Sequence, residues 1–128
     1  MKKFEARIEI RFADIDAMGH VNNATYFTYF EQARMSFFRA KIGKSWNWES
    51  DGLIVARNEI DYKKPVLLQD DMSILLWVDQ IGTKSFTVCY EVLVGESICA
   101  TGKSVLVAFN HQLRQTQEIP TLWKEAFI

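Results

Sequence analysis

A polar segment gathers two carboxylates, one imidazole and two amides directly before a run of apolar residues. Asp14, Asp16, His20, Asn22 and Asn23 all fall within this segment. A carboxylate beside a bound carbonyl acts as a general base toward water or as the nucleophile itself. N–H groups at the start of a helix carry partial positive charge and can hold a developing oxyanion. The segment therefore predicts attack on a carbonyl without a Ser-His-Asp set.

Each of these residues also has a plainer interpretation. Asp14 is typical of an Asx turn, and Asn22 or Asn23 of a helix cap. Three roles remain open for His20: a hydrogen bond to the bound carbonyl, a shift in the pKa of the neighbouring carboxylate, or support of the loop alone. The second histidine, His111, lies in a polar stretch and reads as an exposed loop residue, so the histidines do not indicate a metal site. The combination, rather than any single residue, indicates chemistry.

The elements that position this segment follow from its flanking periodicities. Before it, residues 4–12 alternate strictly, with Ala6, Ile8, Ile10 and Phe12 on one side, which predicts a half-buried strand. After it, large apolar residues recur at helical spacing over residues 24–42, and Gly43 suits the position after a helix end. The apolar face covers nearly two thirds of this helix, so we expect other elements to wrap it.

The rest of the chain reads as strands over residues 54–62, 72–78, 86–94 and 97–109, followed by a short helix over residues 122–127. Short turns between the last three strands predict an antiparallel meander. We therefore expect an α+β fold in which an antiparallel sheet curls around the long helix. An exposed edge strand would be covered in a dimer that joins two sheets. On the long helix, Glu31 and Arg34 are one turn apart and predict a structural ion pair. The alternatives for Glu31 are support of the loop that contains Asp16 and a place in the pocket wall.

Length and composition exclude several classes of protein. With 128 residues, the chain is expected to form a single domain over residues 1–128. A net charge of -1 argues against nucleic-acid binding. No apolar run reaches the roughly 18 residues of a membrane span, and the N-terminus does not look like a signal peptide. Cys89 and Cys99 are interpreted as reduced packing residues, so we expect a cytoplasmic protein.

The polar segment and the helix after it resemble a known signature almost position by position. Residues 11–34 read RFADIDAMGHVNNATYFTYFEQAR and resemble hotdog-fold acyl-CoA thioesterases of the 4-hydroxybenzoyl-CoA thioesterase superfamily. The GHVNN-x-x-Y part is also similar to the Asn-rich motif of plant acyl-ACP thioesterases. Residues 61–65, 83–86 and 119–120 extend the resemblance along nearly the whole chain.

The resemblance implies an antiparallel sheet around one central helix, paired into dimers with active sites at the interface. It implies that Asp16 is the catalytic carboxylate and that the backbone N–H of Asn23 polarises the carbonyl. His20 completes the catalytic candidates. No metal or prosthetic group is implied, since coenzyme A belongs to the substrate. The resemblance also implies that Lys84 and Ser85 contact the nucleotide or phosphate of coenzyme A. The other substrate-binding candidates are Tyr26, Val55 and Arg57.

The chain also departs from parts of that family. The 4-hydroxybenzoyl branch lacks the His-Val-Asn-Asn string, so an aromatic acyl group is not implied. The turn over residues 83–85 has one basic residue, Lys84, whereas the 4-hydroxybenzoyl branch is more basic there. Arg57, Lys63 and Lys64 are therefore alternative contacts for the nucleotide of coenzyme A. For Tyr26, core packing is an equal alternative.

The sequence as a whole predicts a homodimeric or homotetrameric acyl-CoA thioesterase, with acyl-ACP as the alternative carrier. Two rival functions remain open. One is a hotdog dehydratase or hydratase, which would need an acid–base pair such as His20 with Asp16. The other is a non-catalytic domain that binds acyl thioesters.

Overall fold

The structure, a computed structural model, describes residues 2–128. The elements are β1 (Phe4–Ile8), a 3-10 turn (Phe12–Asp14), α1 (Thr25–Lys41), β2 (Gly52–Tyr62), β3 (Met72–Ile81), β4 (Ser85–Val94), β5 (Ser97–Asn110), β6 (Gln115–Thr116) and α2 (Thr121–Phe127). The long helix, the four strands after it and the short C-terminal helix are therefore confirmed. The short strand β6 carries no periodicity and was not expected.

All strand pairs are antiparallel and form one sheet in the order β1-β3-β4-β5-β2, with β6 paired to the end of β5. The neighbours β3, β4 and β5 are consecutive in the sequence, which confirms the meander. A bulge between Val55 and Arg57 interrupts the register of β2. One long helix against one antiparallel sheet is the hotdog arrangement that the resemblance implies.

Helix α1 lies against the sheet through its apolar face. The ring of Phe30 stacks flat on Tyr90 of β4, with centroids 4.0 Å apart and planes at 1°. A Cβ built on Gly102 of β5 would lie 2.7 Å from the Cε2 and Cζ atoms of Phe30. The missing side chain at Gly102 therefore allows the helix to approach the sheet. At the other end of α1, Gly43 has a φ of 97°, as its position after the helix predicts.

Two expectations about the start of the chain are wrong. Phe12 does not continue the inward face of β1 but is 83% exposed, because β1 ends at Ile8 and Phe12 begins the 3-10 turn. Neither asparagine caps α1: the N-cap residue is Ala24, and no side chain bonds to the first turn. The Asn22 Oδ1 atom instead accepts the Ala24 N–H at 2.9 Å, which forms an Asx turn before the helix.

The expected Glu31–Arg34 ion pair is also absent from the described residues. Arg34 is buried, and its guanidinium donates to the Tyr90 hydroxyl at 3.0 Å. Both cysteines, Cys89 and Cys99, are free and buried, as predicted. Over residues 2–128, no helix is both long and apolar enough to cross a membrane.

Strand β2 forms one edge of the sheet. It pairs with β5 on one side, and every residue from 54 to 59 is exposed. The wrapping of α1 is likewise one-sided in a single chain, since Glu31 and Met35 are exposed. A long strand with an unpaired edge is a template for pairing with another chain.

Candidate functional site

A cavity of about 430 Å³ lies where the polar segment, the start of α1 and the end of β2 meet. Its wall contains three residues singled out for catalysis, together with Tyr26 and the segment that follows β2. The lining residues are Asp16, Met18, His20, Val21, Asn23, Tyr26, Tyr62, Lys63, Lys64 and Pro65. The fold thus brings together side chains that lie some forty positions apart in the sequence.

Asp16 lines this cavity from a tight loop. Its Oδ1 atom accepts the Met18 N–H at 3.0 Å and the His20 N–H at 3.4 Å. No residue that the structure describes donates to Oδ2, so this oxygen is available to a water molecule or a substrate atom. The loop is closed by the Asp16 N–H, which donates to the His20 carbonyl at 2.9 Å. Asp16 is therefore oriented by backbone groups and keeps one oxygen for chemistry.

Asn23 lines the same cavity and has an unpaired backbone N–H. Its neighbours are all paired: the Asn22 N–H donates to the Asp14 carbonyl, the Ala24 N–H to the Asn22 side chain and the Thr25 N–H to the Asn22 carbonyl. The Asn23 N–H finds no acceptor among residues 2–128. A donor left free just before a helix, where backbone N–H groups point outward, can hold an oxyanion.

Asp14 and Asp16 have the same side chain two positions apart, but the fold gives them different surroundings. Asp14 is 3% exposed and lies outside the cavity wall. Its carboxylate accepts the Tyr29 hydroxyl at 2.6 Å, the Arg11 guanidinium at 2.8 Å and the Arg11 N–H at 3.0 Å. Burial raises the pKa of Asp14, but these hydrogen bonds outweigh it and hold the pKa below its usual value. Asp14 is thus a fully engaged structural carboxylate.

Tyr26 and Tyr62 form an aromatic wall next to the Asn23 donor. Their ring centroids are 5.1 Å apart in an edge-to-face arrangement. Burial raises the pKa of Tyr26 to about 12, so its phenol stays protonated even at alkaline pH. The Tyr62 hydroxyl donates to the Asn23 carbonyl at 2.6 Å, which fixes the chain just before α1.

Tyr62 was not expected in the site. The only signal was its place in residues 61–65, which matched the family without suggesting a role. The same segment supplies Lys63 and Lys64, both exposed at the cavity wall.

The other substrate-binding candidates lie elsewhere within one chain. Lys84 lies in the turn between β3 and β4, and Ser85 begins β4 and pairs with Val107 of β5. Tyr62 pairs with Ala100 of the same strand. Seven residues of strand span about 23 Å, so this turn is at the opposite end of the sheet.

Val55 and Arg57 lie on β2, away from the Asp16 cavity. Arg57 is exposed and donates to the Glu59 carboxylate at 3.2 Å. Val55 lines a second cavity of about 450 Å³ between α1, the loop after it and β2. The walls of that cavity are mainly apolar, with Met35, Trp46 and Leu53 among them.

No group of three or more His, Cys, Asp or Glu side chains in the described part of the chain is arranged to hold a metal ion. The residues that line the first cavity supply one carboxylate, one imidazole, two phenols and two lysines, together with the unpaired Asn23 N–H.

Comparison with known proteins gives a consistent family. A family model described as the thioesterase-like superfamily matches residues 10–127. The chain is 34% identical over 106 residues to YsmA of Bacillus subtilis, which covers 81% of this chain and 71% of that protein. It is 28% identical over 82 residues to the long-chain acyl-CoA thioesterase FadM of Escherichia coli, with coverages of 63% and 62%. A Thermus thermophilus thioesterase solved with coenzyme A and Zn superimposes with a TM-score of 0.84 at 32% identity, over 96% of this chain and 90% of that one.

Proposed function

The chain belongs to the thioesterase-like superfamily, and from that premise we propose that it hydrolyses an acyl-CoA thioester to a free acid and a thiol. One observation carries the proposal: the half-free carboxylate of Asp16 and the unpaired N–H of Asn23 line the same cavity. Thioester hydrolysis needs both a group that activates or performs the attack and a donor for the oxyanion.

In the first form of the reaction, Asp16 is a general base. It takes a proton from water while the water oxygen bonds to the thioester carbon, and the Asn23 N–H donates to the resulting oxyanion. The C–S bond then breaks, and the thiolate takes the proton from Asp16. In the second form, the Asp16 carboxylate attacks the carbon and the thiolate leaves. Water then cleaves the mixed anhydride to the free acid and a protonated Asp16, and the Asp16 proton passes to the thiolate. His20 lines the same wall and donates to the carbonyl or holds the loop.

The nucleotide end of coenzyme A carries phosphates, and the lysines at the cavity offer the charge to meet them. Lys63 and Lys64 line the Asp16 cavity, whereas Lys84 lies at the other end of the sheet. Within one chain, we therefore assign phosphate contacts to Lys63 and Lys64. Acyl-ACP remains the alternative carrier, because its pantetheine arm offers the same thioester.

The acyl group needs an apolar cavity, and the second cavity provides one. Helix α1 connects the two, with Tyr26 at the first cavity and Met35 at the second. This assignment gives Val55 its role as a substrate contact.

The active form is a homodimer or a homotetramer in this proposal. The support is β2, whose exposed residues and unpaired edge suit pairing with a second copy. In a two-fold pair the edge strands run antiparallel. The far end of the partner's sheet then points toward the Asp16 end of this chain, so the partner's Lys84 and Ser85 and the partner's Arg57 can still meet the substrate.

We place the reaction in the cytoplasm, without a prosthetic group. The free thiols of Cys89 and Cys99 suit a reducing compartment, and the steps above need only protein groups and water.

The test is free-thiol release from short, long and aromatic acyl-CoA esters by the wild type and by Asp16→Asn. Loss of a general base typically costs about 10²–10⁴-fold in rate, so the variant should fold, bind and lose most of its hydrolysis. Asp79→Asn removes one exposed carboxylate from β3 and should retain the wild-type rate.

Full activity in Asp16→Asn would refute the role of Asp16. No hydrolysis of any CoA ester would redirect the test to an acyl-ACP panel. An enoyl-CoA absorbance change would favour the dehydratase or hydratase, and tight binding without turnover would favour the non-catalytic binding domain.

A further inference from the structure

We propose that Asp14 is the positioning residue of this site, and that its bond to Tyr29 sets the arrangement of Asp16 and Asn23. The inference rests on the proposed hydrolysis and adds a residue that does not touch the substrate. Asp14 is not a second base, since its carboxylate is buried and already accepts three hydrogen bonds.

The first step of the argument is the connection from Asp14 to both reacting groups. The Asp14 carbonyl accepts the Asn22 N–H at 2.8 Å, and Ile15 and Val21 form an antiparallel bridge directly after it. The loop therefore consists of two antiparallel segments, residues 14–16 and 20–22, and the bond between Asp14 and Asn22 closes its base. Asp16 lies on the first segment, and the Asn23 N–H directly follows the second.

The second step is the connection from the loop to the helix. Tyr29 is fully buried on α1, and its hydroxyl donates to Asp14 at 2.6 Å. The Val21 N–H donates to the Val66 carbonyl at 2.8 Å, so the loop stays attached to the rest of the fold without the Tyr29 bond. The bond from Tyr29 sets the orientation of these two loop segments relative to the start of α1.

The third step is the strength of this bond. An acceptor that carries full charge makes a shorter and stronger hydrogen bond than a neutral one. Burial raises the pKa of Tyr29, and the bond to the Asp14 carboxylate raises it further, so the phenol keeps its proton and remains the donor.

Tyr29→Phe tests the inference because it removes one oxygen atom and leaves the ring in place. A displacement of about 1 Å at a reacting group costs up to about 100-fold in rate. We expect kcat to fall by about 10-fold to 100-fold, with KM changed by less than about 3-fold, because the cavity wall stays intact. Asp14→Asn should lower kcat at least as much, and the double variant should be no worse than Asp14→Asn alone.

Tyr90→Phe is the matched control. Tyr90 is also buried, and its hydroxyl also bonds to a charged group, the guanidinium of Arg34, but among the described residues it makes no hydrogen bond to the loop. It should lose stability in the same way as Tyr29→Phe and retain kcat. Amide hydrogen exchange at Asp16 and Asn22 gives a readout without turnover and should be faster in Tyr29→Phe than in Tyr90→Phe.

The outcomes separate the two proposals. If Asp16→Asn is inactive but Tyr29→Phe keeps its kcat, the positioning role is refuted and the hydrolysis stands. If the wild type hydrolyses no thioester, the exchange rates decide. Faster exchange in Tyr29→Phe supports the positioning of the loop by the Tyr29–Asp14 bond, and unchanged exchange refutes it.

Discussion

Gly102→Ala is expected to destabilise the protein by pushing α1 away from the sheet. The new Cβ would lie 2.7 Å from two ring atoms of Phe30 and 2.9 Å from the Glu59 carbonyl oxygen. The ring cannot retreat, because it is stacked on Tyr90, and the carbonyl belongs to the paired strand β2. Overpacking of this kind lowers the free energy of unfolding by about 2–3 kcal/mol. Alanine also reduces the conformational entropy of the unfolded chain, which offsets up to about 1 kcal/mol of that loss.

The net loss of about 1–3 kcal/mol corresponds to a fall in Tm of about 4–11 °C for a chain of this size. Urea unfolding monitored by circular dichroism measures it as a lower midpoint at constant slope. Gly82→Ala is the matched control, since its Cβ would lie in an exposed turn and meet only Ser85, at 3.2 Å from the carbonyl oxygen and 3.7 Å from Oγ. It should change the stability by less than about 1 kcal/mol in either direction.

The double variant Gly102→Ala with Phe30→Leu identifies the cause. A smaller side chain at position 30 makes room for the methyl group, so the two changes together should cost less than the sum of their separate costs. Contacting residues typically show such couplings of about 0.5–3 kcal/mol. An unchanged midpoint in Gly102→Ala, or strict additivity in the double variant, would refute the contact as the reason for this glycine.

Two further predictions concern the charged groups of the site. Lys63→Ala and Lys64→Ala should each raise KM for acyl-CoA by about 1.4-fold to 5-fold, since an exposed ion pair contributes about 0.2–1 kcal/mol. They should leave KM for the matching acyl-pantetheine unchanged, and an equal effect on both substrates would contradict phosphate binding by these lysines. Asp14→Asn should cost most stability near pH 7. The folded-state pKa of Asp14 is lowered, so its carboxylate stabilises the fold above the unfolded pKa of about 3.9 and loses this effect as the pH falls through the folded value. An equal cost of Asp14→Asn in urea melts at pH 7 and at pH 3 would contradict that assignment.

Much of the site could be predicted before the fold was known. The residue types of the polar segment, Asp16 and His20 among them, suited attack on a carbonyl beside a helix start, and the resemblance singled out Asp16 and the Asn23 N–H within it. The structure places all three on one cavity. Their catalytic roles stay predictions that Asp16→Asn tests first.

The roles of the polar residues around them could not be predicted in the same way. Asn22 was expected to cap the helix and instead accepts the Ala24 N–H. Asp14 was interpreted as a turn residue, but its carboxylate also accepts the hydroxyl of Tyr29, fifteen positions away. Short polar side chains bond with many backbone and side-chain partners, and the choice depends on which atoms the fold brings near.

The sequence by itself determined the local elements: the helix over α1, its end at Gly43 and the meander of β3, β4 and β5. These follow from side-chain periodicity and backbone sterics, which act between near neighbours. Only the tertiary structure decided that Tyr62 and Lys63 join Asp16 at one cavity, that the Lys84 turn lies at the far end of the sheet, and that Asp14 is buried while Asp16 keeps a free oxygen. Those outcomes depend on the register of β2 on β5 and on the close approach of α1 to Gly102, which are contacts between distant parts of the chain.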